Sequence, residues 1–151
     1  MSGEKAFTVQ VELHYQDPLA ALDWLRKAFG FETRLMVRDE HGDLVFAEAG
    51  LEGGYIAIVP EKQGSNRSPK SIGGVSTQTV RVSMSTDVDA HCERARQAGA
   101  VILMEPQMFF FGDKTYVALD PEGHMWSFAQ RVPGAGGPPP KGWTVDVNGR
   151  T

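Results

Sequence analysis

Cysteine is nearly missing from this chain: Cys92 is the single one in 151 residues. That excludes an internal disulfide and any zinc site built from several thiolates. Cys92 falls inside a helical pattern with no base beside it, so it reads as a plain, semi-buried thiol rather than a nucleophile. Long apolar runs are missing too; none approaches the roughly 18 residues of a membrane-spanning helix. There is no excess of positive charge. Lys and Arg total 15 against 19 acidic residues, for a net charge of −4, and no basic stripe is visible. Nucleic acid and membrane are therefore not expected as partners. The opening MSGEKAFTVQVEL has no apolar signal core, so a cytoplasmic location is expected. What remains, 41% hydrophobic over 151 residues, suits one compact domain with a real core.

The strongest positive signal is a repeat. In TVQVELHYQDPLAALDWLRKAFGFE, Val9, Val11, Leu13 and Tyr15 alternate with Gln10, Glu12, His14 and Gln16. That period of two predicts a half-buried strand. Asp17 then offers an N-cap side chain, and Pro18 suits the first helical position. Leu19, Leu22, Leu25 and Phe29, with Trp24, supply a helical apolar face, and Gly30 is the stop. The same order recurs in TQTVRVSMSTDVDAHCERARQAGAVI: alternating Val80, Val82 and Met84, a cap at Asp87, a helix, and a stop at Gly99. Three strand-like segments follow each helix: TRLMVRD, DLVFAEAG and GYIAIVP, then VILMEP, KTYVALD and HMWSFAQ. The expected fold is α+β, with two strand–helix–three-strand modules and helices on one face of curled mixed sheets.

These modules cover about residues 7–60 and 76–131, inside a single domain of 1–135. EKQGSNRSPKSIGG joins them, and reads either as a flexible linker or as a lid over a cavity. Residues 136–151 form a Pro/Gly-rich C-terminal extension, either a loose end or an arm that packs on a second subunit through Trp143.

HYQDPLAALDWLRKAFGFE, SPKSIGG, DVDAHCERARQAGA and FGDKTYVALDPEGHMWSFAQ together resemble the vicinal oxygen chelate superfamily. That superfamily includes glyoxalase, bleomycin-resistance proteins and extradiol dioxygenases; the nearest likeness is to its PhnB-like branch. The resemblance implies sheets curled around a shared cavity, and a homodimer. It also implies one divalent metal held from four strand positions by His, Gln or Glu. Carried over one at a time, those positions fall on Gln10, Ala57, Thr79 (Val80 on a raw count) and Ser127. Only Gln10 is a usual ligand. The expectation is therefore no metal and no cofactor, with one divalent metal ion as the alternative.

Strand parity places Gln10, Glu12 and His14 on the cavity face. His14 and Glu12 are the candidates for acid–base chemistry, or for a plain structural role. Arg81 also faces inward, as a partner for Glu12 or a clamp for an anionic ligand group. Tyr55 shares the parity of Ala57 and Val59, Met125 that of Ser127, and Tyr116 with the MFFF run borders the cavity. These liners suit a small organic ligand. His41 reads as an exposed turn residue, His91 as solvent-facing, and His124 as turned toward the helices. Asp120, in DPEG, has a structural reading, and Trp126 and Phe128 read as core. Three functions stand open: a metal-free binding protein, favoured by the ligand count; a metal-dependent lyase, isomerase or dioxygenase; and a structural or regulatory dimer.

Overall fold

A computed structural model of the chain describes residues 9–147. The first residues assigned to module one, and the last four of the C-terminal extension, lie outside the described residues. The first module runs β1 (Glu12–Tyr15), α1 (Pro18–Phe29), β2 (Glu32–Arg38), β3 (Leu44–Leu51) and β4 (Gly54–Pro60). The second repeats it as β5 (Thr79–Met84), α2 (Val88–Gln97), β6 (Val101–Met108), β7 (Asp113–Leu119) and β8 (Met125–Arg131). The two sheets have strand orders β1-β4-β3-β2 and β5-β8-β7-β6, each with one parallel pair (β1 with β4, β5 with β8) and two antiparallel ones. The duplication is thus exact in topology. Neither sheet is closed.

Local chemistry sets the helix ends. The Asp17 carboxylate accepts from Ala20 N–H at 3.1 Å, and Pro18 opens α1. Asp87 accepts from Asp89 and Ala90 N–H at the start of α2. Each helix buries one face on its own sheet, and the two helices also pack on each other. Leu22, Leu25, Ala28 and Phe29 are buried, whereas Leu19, assigned to the same face, is 41% exposed because it lies in the first turn, beyond the sheet. Val9 is likewise not a core position; it precedes β1 and is 85% exposed.

A single core spans both modules. Phe29, at the end of α1, touches the rings of Trp126 and Phe128 on β8 at 5.4 and 4.6 Å between centroids. At the far end, the Tyr15 hydroxyl donates to Asp120 at 2.6 Å, and Trp126 Nε1 donates to the same carboxylate at 3.1 Å. Asp120 also accepts from the Glu122 and His124 N–H groups of its own turn. The DPEG aspartate is therefore structural.

His91 is a correction to the sequence reading. It is buried, not solvent-facing, with 9% exposure. It lies on the same helical stripe as Val88, Cys92 and Ala95. Its Nε2–H donates to the Phe29 carbonyl at 2.8 Å, and the Tyr116 hydroxyl donates to Nδ1 at 2.6 Å. This fixes a neutral imidazole with both nitrogens used. Burial lowers the pKa of His91. A histidine whose folded pKa is depressed binds fewer protons folded than unfolded, so stability rises with pH across that window. Urea midpoints should accordingly fall as pH drops below about 6.5, the unfolded value. His91→Gln should flatten that dependence. An unchanged slope in the variant would exclude His91 as its source.

The connector is ordered. A 3-10 turn, Pro69–Ile72, follows Ser68, which is fully buried. Two glutamates pin it. Glu61 accepts from Ser68 N–H at 2.8 Å and the Ser71 hydroxyl at 2.7 Å, bonds that hold its carboxyl below the usual range. Glu122 accepts from the Ser68 hydroxyl and Gln16 N–H, both at 2.6 Å. Gly123, at φ +88°, lets the β7–β8 turn lie against Pro69; a Cβ there would meet Pro69 Cβ at 3.1 Å.

Beyond β8 the chain runs back along the β6–β7 turn. Val132 N–H donates to Gly112 O and Gly137 N–H to Phe110 O. Trp143 meets Phe110 edge-on at 6.2 Å.

Candidate functional site

Strand residues alternate between a face turned to the helices and one turned away, but β2 is exposed along its length and the middles of β4 and β8 are buried on both faces. On β1, Leu13 and Tyr15 are buried while Glu12 and His14 face the open side. The register carries this across the sheet: Glu12 pairs with Ala57, which pairs with Glu48 on β3. In the second module Thr79 pairs with Met125, and Arg81 with Ser127. Val80 packs against the core, so the open-face residue at the start of β5 is Thr79. Gln10, Glu12, His14, Tyr55, Ala57, Thr79, Arg81, Met125 and Ser127 all lie on the faces turned away from the helices, though Ala57 and Ser127 are buried there, at 0% and 7% exposure. Tyr116 does not. It is fully buried on the helix side of β7 and bonded to His91, because its strand partner is Phe128 rather than Ser127.

The open-face residues are not gathered in one place. Gln10, Tyr55 and Arg81 line a hollow of about 320 Å³ at the seam where residues 9–11 and the start of β4 meet β5. Glu12 and His14 line a second cleft, of about 300 Å³, beneath the connector. Arg81 pairs with Asp113 at 2.9 Å and not with Glu12. Glu12 has no hydrogen bond or ion pair among the described residues. His14 has no ring hydrogen bond there either, and burial lowers its pKa, so a neutral imidazole faces the cleft at neutral pH. His124 faces away from the open sheets, as parity required: its Nε2 bonds the His14 carbonyl at 2.7 Å and its ring lies on Tyr15. It still borders the cleft.

Sequence reasoning missed Glu48. Gln10 Nε2 reaches it in a long contact of 3.5 Å, and Arg34 Nε stands 4.0 Å away. The same Arg34 guanidinium lies 4.0 Å over the Tyr55 ring, a cation–π arrangement. Tyr55 can lie flat because its strand partner is Gly50; a Cβ there would come within 3.0 Å of the ring. The clue was present in LVFAEAGL, where Phe46, Glu48 and Gly50 alternate with buried Ala47 and Ala49.

The four positions carried over from the resemblance do not fit a divalent ion. Ala57 has no donor atom, Thr79 and Ser127 offer neutral hydroxyls, and Gln10 turns toward Glu48. Divalent metals of this class take imidazole, carboxylate or thiolate ligands. Among the described residues no three His, Cys, Asp or Glu side chains converge. No described helix is long and apolar enough to cross a membrane. The thiol of Cys92 is 2% exposed, and burial raises its pKa.

Comparison with known proteins places this arrangement. The sequence pattern of the glyoxalase/bleomycin resistance protein/dioxygenase superfamily matches residues 8–128. The uncharacterized protein Mb0911c of Mycobacterium bovis is 33% identical over 120 residues, covering 77% of this chain and 78% of its own. Among solved structures, TioX from Micromonospora sp. ML1 is 32% identical with a TM-score of 0.66, over 83% of this chain and 97% of that one. TnmS3, an antibiotic-binding protein from Streptomyces sp. CB03234, is 18% identical with a TM-score of 0.62, over 85% of this chain and all of its own; that likeness is one of fold.

Proposed function

The chain belongs to the glyoxalase/bleomycin resistance protein/dioxygenase superfamily, and on that premise we propose that it binds a small organic molecule on its open sheet faces without a catalytic metal. The observation that carries this is the set of side chains at Gln10, Ala57, Thr79 and Ser127. It is a degenerate metal site: one amide, two hydroxyls and a methyl where the superfamily's enzymes place ligands. In its stead the seam hollow offers Tyr55, with Arg34 above its ring, and Val9 and Val82 beside Gln10 and Arg81. A hollow with apolar walls and a few polar groups suits an organic ligand. A fold shared with an antibiotic-binding protein is consistent with that use. The PhnB-like branch, to which the sequence motifs point, is part of the same assignment.

The working form is a homodimer in the cytoplasm. Leu35, Met36 and Val37 on the edge strand β2, and Val45 on the neighbouring β3, leave 37–48% of their surface exposed, apolar area that a second copy would cover.

Metal content is the test. Protein purified without chelator should carry far less than stoichiometric Ni, Zn, Fe or Mn, and adding these ions should leave its melting temperature unchanged. A stoichiometric ion would instead support a metal-dependent lyase, isomerase or dioxygenase. The Glu48 carboxylate beside Gln10 is the feature that favours that second reading.

A further inference from the structure

The cleft beneath the connector shares no residue with the seam hollow. Its chemistry differs as well. On the β1 side stands Glu12, a carboxylate with neither hydrogen bond nor ion pair among the described residues. Beside it His14 presents an imidazole with no ring hydrogen bond. On the connector side stands Arg67, which meets Glu61 through Nε at 3.2 Å. Its two terminal nitrogens have no hydrogen bond among the described residues, and they are the pair that grips a carboxylate in bidentate fashion. No ion pair joins Glu12 to Arg67. The cleft is thus lined by a carboxylate without an ion pair and by a guanidinium only half used among the described residues, with the Lys62 charge also acting on His14.

The rest of the lining is mixed: Ser65, Asn66, Ser76, Thr77 and Gln78 are polar, and one patch is apolar. Pro69, Ile72 and Val75 border the cleft, and Ile72 and Val75 are 47% and 60% exposed. The roof does not depend on a ligand for its shape, because Glu61 and Glu122 fix residues 68–71 from two directions. A volume of about 300 Å³ lies at the lower end of the range for small-molecule sites, about 300–1,000 Å³.

From this we infer that the connector cleft is a second binding site, for a zwitterionic small molecule of the amino-acid class with an apolar side chain. The ammonium group lies on Glu12, with His14 as a neutral acceptor beside it. The carboxylate lies on the terminal nitrogens of Arg67. The side chain rests on Ile72 and Val75. An anion alone would face Glu12, and a cation alone would leave Arg67 unmatched; only a dipolar head satisfies both walls. The site stands independently of any ligand at the seam, and either can fail without the other.

Three probes of one shape separate the possibilities: L-leucine, its decarboxylated analogue 3-methylbutylamine, and its deaminated analogue 4-methylpentanoate. Calorimetry gives the affinities, and the ring-proton NMR signals of His14 report the location. L-leucine should shift the His14 signals and bind about tenfold or more tightly than either analogue, a difference of about 1.4 kcal/mol. Glu12→Gln should reduce leucine to the affinity of the acid, and Arg67→Gln to that of the amine. Glu12 is exposed on the open face, so its variant should fold normally, which far-UV circular dichroism checks. Equal binding of all three probes, no shift at His14, or leucine binding that survives both substitutions would each overturn the inference.

Discussion

Replacing Asp120 by alanine should lower the unfolding free energy by about 3–5 kcal/mol. The carboxylate is 4% exposed and serves four donors: the Tyr15 hydroxyl, the Trp126 indole and two backbone N–H groups of its own turn. Tyr15 and Trp126 are 1% and 0% exposed, so neither donor can turn to water. Each buried donor left without an acceptor costs about 1–3 kcal/mol, and the costs within one network do not simply add. Burial pushes the Asp120 carboxyl upward, while the hydrogen bonds from Tyr15 and Trp126 and the nearby His124 pull it down. Tyr15→Phe removes one bond and leaves the acceptor otherwise engaged, so its cost should be near 1 kcal/mol. Urea unfolding of the two variants checks the ranking. A loss below about 1 kcal/mol for Asp120→Ala would mean that the network does not tie the β7–β8 turn to β1.

Phe29→Ala should cost as much, about 3–5 kcal/mol, with a fall in melting temperature of roughly 10 °C. Phe29 is fully buried at the last position of α1. Its ring meets Trp24 edge-on at 5.0 Å, lies 6.0 Å from His91, and reaches Trp126 and Phe128 across the module boundary. Truncation leaves a cavity among Trp24, His91, Trp126 and Phe128, packed rings that refill it only in part. Phe29→Leu retains most of the volume and should recover more than half of the loss. If the alanine variant melts within a few degrees of the parent, the halves are held by something other than this ring cluster.

The repeat was legible because its signals are local. Asp17, Pro18 and Asp87 act within one helical turn, and the alternation of Glu12 and His14 with Leu13 and Tyr15 needs no distant partner. Tyr116 was not legible. KTYVALD has apolar residues on both faces, so only its register with β8 shows which way the ring points. Parity alone left Arg81 open as a partner for Glu12 or a clamp for an anion, whereas its ion-pair partner is Asp113, which begins a strand 32 residues away. The burial of His91 could have been found, since it stands three residues after Val88 and four before Ala95 on one helical stripe. The pinning of the connector could not, because Glu122 reaches Ser68 over 54 residues.

Among the described residues every strand pairs only within its own half. Side chains and one tether alone therefore join the halves, and no ladder locks the angle between them. Substitutions at Phe29, Phe31 or Trp126 could tilt one half against the other by small steps while each sheet stays whole. The seam could thus be widened or narrowed over evolutionary time for molecules of different bulk, with no strand rebuilt.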